Sequence, residues 1–184
     1  MTLTPVTLGQ ALLINIHEGV YMDLKKFVKQ LRIHEGVENG VYWDTTGHRT
    51  VGVGFNLERM DAPEILEEMG ISHNDVVTGE RRLTDEEIDQ LLMRDVEDFE
   101  KEIRKLIPVY DELDEVRQRV VMDMLFNLGY KGFKGFKNTR KYINAGRYDL
   151  AARNMMLSLW AKQVKSRAVN LSKMMKHGED VYEL

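Results

Sequence analysis

The sequence predicts an α+β fold. It is mostly helical, with a small β-hairpin in an N-terminal lobe and a long connecting helix that leads to an all-helical second lobe. Three observations predict it. After residue 83, apolar residues recur at helical spacing over most of the chain. The stretch Gly40 to Leu57 switches to the aromatic, β-branched and glycine-rich pattern of a hairpin. An unbroken helical period from Thr84 up to Pro108 separates the two halves, too long for an ordinary surface helix and suited to a connector.

The elements follow in order. Leu24, Phe27, Val28 and Leu31 share one face of a helix over 23–34, with Met22-Asp23 at its start and Glu35-Gly36 at its end, where glycine suits a C-terminus. Val41-Tyr42-Trp43 and Thr50-Val51-Gly52-Val53 read as two strands joined by a turn rich in Thr, Gly and Asp. Gly52 and Gly54 leave one face open to a ligand's close approach. Asp61-Ala62-Pro63-Glu64 predicts a short helix with an acidic cap and proline in its first turn, closed by Gly70. Thr84 and Glu87 form a capping box for the connector, whose apolar face is Ile88, Leu91, Leu92, Val96, Phe99, Ile103 and Leu106. Beyond Pro108, helices are predicted over Val116–Leu128 with Gly129 as the stop, then over 137–144, 148–157 and 165–176. Met122, Met124, Met155, Met156, Met174 and Met175 read as core filler.

The chain has 184 residues, 43% hydrophobic and 30% charged, with no cysteine, which excludes a disulfide scaffold and a cysteine-ligated zinc site. No apolar run approaches the ~18 residues of a membrane span, so no membrane insertion is expected. Ala11-Leu12-Leu13-Ile14 is too short for a signal peptide's apolar region and has no basic residue before it. The net charge of −4 conceals a polarity: residues 58–115 carry 20 acidic and 7 basic side chains, residues 116–176 carry 2 acidic and 14 basic. Either one surface meets a polyanion or these are solvated helix faces that compensate each other.

Chemistry concentrates between Leu31 and Gly54. Glu35, Asp44 and Thr50 bring two carboxylates and a hydroxyl beside one concave surface, and paired carboxylates flanking a scissile bond are the usual equipment of a glycoside hydrolase. At a helix end facing a hairpin, the Glu35 carboxyl is partly desolvated and suits a general acid; Asp44, in a polar turn, stays ionised. Taken singly, Glu35 is a helix-end charge and Asp44 a turn former. Ile16-His17-Glu18-Gly19-Val20 repeats at Ile33-His34-Glu35-Gly36-Val37, but no glycine-rich hairpin follows the first copy, so Glu18 is a decoy.

The run of a glutamate, eight residues, an aspartate, five residues and a threonine resembles the phage-type lysozymes, glycoside hydrolase family 24. The resemblance extends from about residue 22 to the C-terminus. It includes Phe126-Asn127-Leu128-Gly129, Gly135-Phe136-Lys137-Asn138-Thr139, and Arg153-Asn154-Met155 through Ser158-Leu159-Trp160. It implies a two-lobed lysozyme fold, with residues 1–21 an extension of unknown role, an N-terminal lobe over 22–83, the connecting helix over 84–107 and a helical C-terminal lobe over 108–184. It implies Glu35, Asp44 and Thr50 as catalytic residues that hydrolyse the β-1,4 link between N-acetylmuramic acid and N-acetylglucosamine with inversion. Asn56, Phe126, Thr139 and Asn154 are the implied substrate contacts, and Arg167 the arginine that approaches the glutamate.

No metal or organic cofactor is implied. The implied partner is bacterial peptidoglycan, met by a monomer held in the host cytoplasm before lysis and released through a holin-type pore. Two departures stand out. Phe55 occupies the place of a family histidine that pairs with an aspartate, here matched by Asp95, and Asn56 replaces a leucine. The alternatives are a tail- or baseplate-associated lysozyme, a catalytically silent wall-binding module, and a helical nucleic-acid binder, for which no recognition motif or aromatic interleaving is present.

Overall fold

The computed structural model describes residues 22–44 and 46–184. Residues 1–21, with the Glu18 copy of the repeat, lie outside the described residues.

Helix α1 (Leu24–Glu35) begins where the Asp23 carboxylate accepts the Lys26 amide at 3.1 Å, and ends at Gly36, whose φ of +74° suits glycine. Strands β1 (Glu38–Trp43), β2 (Arg49–Gly52) and β3 (Phe55–Asn56) form one antiparallel sheet in the order β1-β2-β3. The third strand extends the predicted hairpin. Two residues are too few to show an alternation, so its pairing with Thr50 and Val51 decides it. The register sets Tyr42 opposite Thr50 and Thr50 opposite Asn56, which puts these three side chains on one face.

Helix α2 (Ala62–Glu68) has proline in its first turn as predicted, but Asp61 does not cap it; Arg59 takes both Asp61 oxygens at 2.6 and 2.7 Å. Helix α3 (His73–Thr78) was not predicted: with six residues it has no period to read, and only the Ser72 cap announces it. The connecting helix α4 (Asp85–Leu106) has the predicted capping box between Thr84 and Glu87. A short 3-10 turn at Tyr110–Glu112 follows.

Helix α5 (Glu115–Gly135) breaks where predicted, at Gly129 with φ +65° and ψ 169°, but helical turns resume after it. Then come α6 (Lys137–Asn144), α7 (Tyr148–Met156), α8 (Leu159–Val164), which was also too short to predict, and α9 (Ser166–His177). The fold is therefore α+β with a small three-stranded sheet. Its apolar core runs from Phe27 and Leu31 through Val51 and Ile88 to Met124, Leu171 and Met174. Five of the six methionines named above are buried in it; Met156 is 39% exposed and is not core. No described helix is long and apolar enough to cross a membrane.

The glycines of β2 and its turn do not both face a ligand. A Cβ on Gly52 would lie 3.0 Å from Ile88 Cγ2, so this glycine lets the sheet close onto α4; one on Gly54 would meet the Phe126 ring at 4.0 Å. α1 is held between both halves of the molecule. Arg32 reaches Asp89 on α4 at 2.7 Å, while Gln30 reaches Asp123 on α5, also at 2.7 Å.

Candidate active site

Glu35 projects from the last turn of α1, its side chain 28% exposed, and its Oε1 accepts a hydrogen bond from Arg167 Nη1 on α9 at 2.5 Å. It lines a cavity of about 400 Å³ with Asn127, Ser166, Asn170 and Tyr182, so elements far apart in the chain meet around it. Arg167 also donates Nε to Asp123 Oδ1 at 2.8 Å. Burial opposes its charge, but Asp123 and then Glu35 more than compensate and hold the guanidinium protonated.

Asp44 sits in the turn after β1 in a different setting. Its Oδ1 accepts the Thr46 amide at 2.8 Å, the Thr46 hydroxyl at 2.8 Å and the His48 amide at 2.9 Å. These bonds, that from His48 foremost, hold its carboxyl below the usual range. Among the described residues its Oδ2 accepts no hydrogen bond. Glu58 ties the far side of the turn, meeting His48 Nδ1 and Arg49 Nε at 3.0 Å each.

Tyr42, which sequence reasoning missed, lies within electrostatic reach of both carboxylates. Burial, then Asp44, Glu35 and Glu38, push its phenol above the ordinary range, against a backbone hydrogen bond from Gly54. One ring thus feels both candidate catalytic groups. The strand alternation that sends Tyr42 to one face and Trp43 to the other was the available signal.

Thr50 is 2% exposed, and its hydroxyl donates to the His48 carbonyl at 3.1 Å, so its oxygen remains as an acceptor. Asn56 and Phe126 come together. They line a cavity of about 260 Å³ with Gly54, Arg59 and Asp95, and Phe126 packs edge-on against Phe99 at 5.8 Å. Asn154 lines another opening of about 500 Å³ with Phe136, Lys137 and Leu157. Thr139 is fully buried and donates its hydroxyl to Asn154 Oδ1 at 2.8 Å. It therefore has no surface to offer a ligand, and the expected contact narrows to Asn154, which Thr139 orients. Trp160 Nε1 fixes Asn127 Oδ1 at 2.8 Å and turns the rest of that amide toward the Glu35 cavity.

Asp95 has a partner that the sequence did not disclose. Arg59 Nη1 reaches its Oδ1 at 2.7 Å while the guanidinium lies over the Phe55 ring at 5.2 Å. The phenylalanine that displaces the expected histidine becomes a platform for an arginine instead. Burial still pushes the Asp95 carboxyl up, with Arg59 opposing.

The phage lysozyme family model matches residues 32–176. The chain is similar to the pre-baseplate central spike protein Gp5 of Enterobacteria phage T4, 30% identical over 147 residues that are 76% of this chain and 26% of that protein. It spans only about a quarter of the spike protein's length. It is also similar to two probable T4-type lysozymes of Dictyostelium discoideum, 27% identical to each over 146 residues that are 75% of this chain and 86% of theirs.

Proposed function

The chain belongs to the phage lysozyme family, and from that premise we propose that it is an inverting muramidase that hydrolyses the β-1,4 bond between N-acetylmuramic acid and N-acetylglucosamine in peptidoglycan. Glu35 protonates the leaving oxygen. Asp44 and Thr50 position the attacking water: Asp44 accepts a water proton on Oδ2, and Thr50, its own proton engaged by His48, accepts on Oγ1. The observation that carries this reading is the contrast between the carboxylates. Three donors keep Asp44 ionised with one oxygen free of described partners, whereas Glu35 sits in a cavity between α1 and α9. Asn56, Phe126 and Asn154 hold the glycan, with Thr139 behind Asn154. Supply from a host cytoplasm through a holin-type pore, as a monomer, completes the reading.

Turbidity of purified peptidoglycan tests it. Glu35→Gln should cost at least ~10²-fold in lysis, the usual contribution of a general acid, with little change in Tm. Glu18→Gln should cost nothing, and loss there with retention at Glu35 sinks the assignment. Proton NMR of a cleaved oligosaccharide should show the α-anomer first; initial β-anomer means retention.

The likeness to a baseplate spike protein favours a second reading, a lysozyme unit carried on phage tails. Fractionating a lysate separates the two: activity with free protein favours the first, activity sedimenting with tails the second.

A further inference from the structure

A general acid beside an arginine poses a problem. Guanidinium contact favours a carboxylate, whereas protonation of a leaving group requires the acid. Arg167 Nη1 is 2.5 Å from Glu35, so the problem is acute here. The answer lies on the other edge of the same guanidinium, where Nε meets Asp123, a fully buried aspartate on α5.

We propose that Asp123 is a positioning residue that aims Arg167 and balances its charge, so that Glu35 faces a neutral pair rather than a bare cation. The proposal rests on Glu35 being the general acid. Oδ1 of Asp123 accepts from Arg167 at 2.8 Å; Oδ2 accepts from Gln30 Nε2 at 2.7 Å and faces His34 Nδ1 at 2.8 Å. Gln30 is neutral, and the other His34 nitrogen contacts the Tyr182 hydroxyl at 2.6 Å. Arg167 is therefore the permanent cation in direct contact with Asp123. A carboxylate without water must be paired, so Asp123 holds the guanidinium's charge more firmly than the partly exposed Glu35 does.

Other charged and titratable groups surround this pair. Tyr42 on β1 feels Glu35, Asp44 and Glu38 enter only through that phenol, and His34 stands on α1 itself. Tyr182 comes from the C-terminal tail. Behind Gln30, Arg119 on α5 is satisfied by Glu115 and Asp180. Arg119 thus has its own carboxylates and does not replace Arg167.

The pH dependence of kcat/KM reads the effect, because a purely structural role lowers the curve without sliding it. Asp123→Asn leaves the Arg167 charge to Glu35 alone. The alkaline limb should move to lower pH by about one unit or more, the range typical of an opposite charge at this distance. Asp123→Asn with Arg167→Met restores neutrality, and its limb should lie at or above that of the parent.

Profiles recorded in a His34→Gln background should show the same displacements, which separates Asp123 from the titration of His34. An unmoved limb in Asp123→Asn, or a limb below the parent's in the double variant, overturns the proposal. If Asp123→Asn alone does not fold, the charge-neutral double variant decides by the same criterion. Full lysis by Glu35→Gln would instead overturn the assignment of the acid.

Discussion

Replacing Gly52 with alanine places a methyl group 3.0 Å from Ile88 Cγ2 and 3.3 Å from Cγ1, on a backbone whose φ is +67°. Two costs add. A Cβ at positive φ costs about 1–2 kcal/mol, and forcing a methyl into a packed contact costs about 1–3 kcal/mol. Loss of chain freedom in the unfolded state returns about 0.4–1 kcal/mol. The net is about 2–4 kcal/mol, which for a chain of this length lowers Tm by roughly 4–16 °C. Circular dichroism melts at fixed pH measure it.

The contact part can be isolated from the backbone part. Ile88→Ala alone costs about 2–5 kcal/mol as a cavity, but it removes the two atoms that crowd the new methyl and leaves only Cβ at an ordinary 3.6 Å. The double variant should therefore be more stable than the sum of the singles by about 1–3 kcal/mol. A Gly52→Ala protein within 0.5 kcal/mol of the parent, or strict additivity with Ile88→Ala, would refute the claim that this glycine seats the sheet on α4.

Lys165 has φ +50° and ψ −110°, the only positive φ outside glycine among the described residues. Lys165→Gly should relieve that strain and raise stability by about 1 kcal/mol, and a lower Tm would contradict it. Arg59→Met should destabilise by about 1–2 kcal/mol at pH 7, since the pair is only partly exposed. Asp95, pushed up by burial and now unopposed, contributes stability only below its unfolded range of ~3.9 and loses it as pH rises. Asp61, held low by Arg59, contributes above that range. Both directions shrink the Arg59→Met penalty at pH 3, and a Tm difference as large at pH 3 as at pH 7 would count against the pairing.

Glutamates at the exposed Lys134, Lys137 and Lys141, of which Lys137 lines the opening with Asn154, should raise the KM for peptidoglycan more than they lower kcat and weaken its salt dependence. Arg140 is left out because it donates to the Lys134 carbonyl at 2.7 Å and holds the local backbone. Wall binding by the parent that is indifferent to salt would leave the basic half as a solvated face.

Local signals made the fold legible. The Thr84–Glu87 box, the Gly36 and Gly129 stops and the period of α4 act within a few residues of chain, where sequence and structure are nearly the same thing. What was missed has at most a weak local signal, such as the Ser72 cap of α3. β3 exists only through its partners, and α3 and α8 are shorter than two turns. Asp61 looked like a cap because Arg59 could not be seen competing for it. At the candidate site, Glu35, Asp44 and Thr50 were singled out by a spacing that resembles the family's. The strand alternation gave Tyr42 a face but only the register set it opposite Thr50, the burial of Thr139 needed α7, and Asp123 needed Gln30 to arrive from 93 residues away.

The embrace of α1 by α9 and Tyr182 has a consequence for how the protein comes into being. Glu35 meets Arg167 across 132 residues, and His34 meets Tyr182 across 148. Synthesis runs from the N-terminus, so Glu35 is made well before Arg167 and Tyr182 and stands without its guanidinium until α9 has emerged. Contacts of such separation close slowly. Nascent chains stalled before residue 167 should contain the hairpin and α4 yet lack the Glu35–Arg167 contact, so whatever depends on that contact waits for α9.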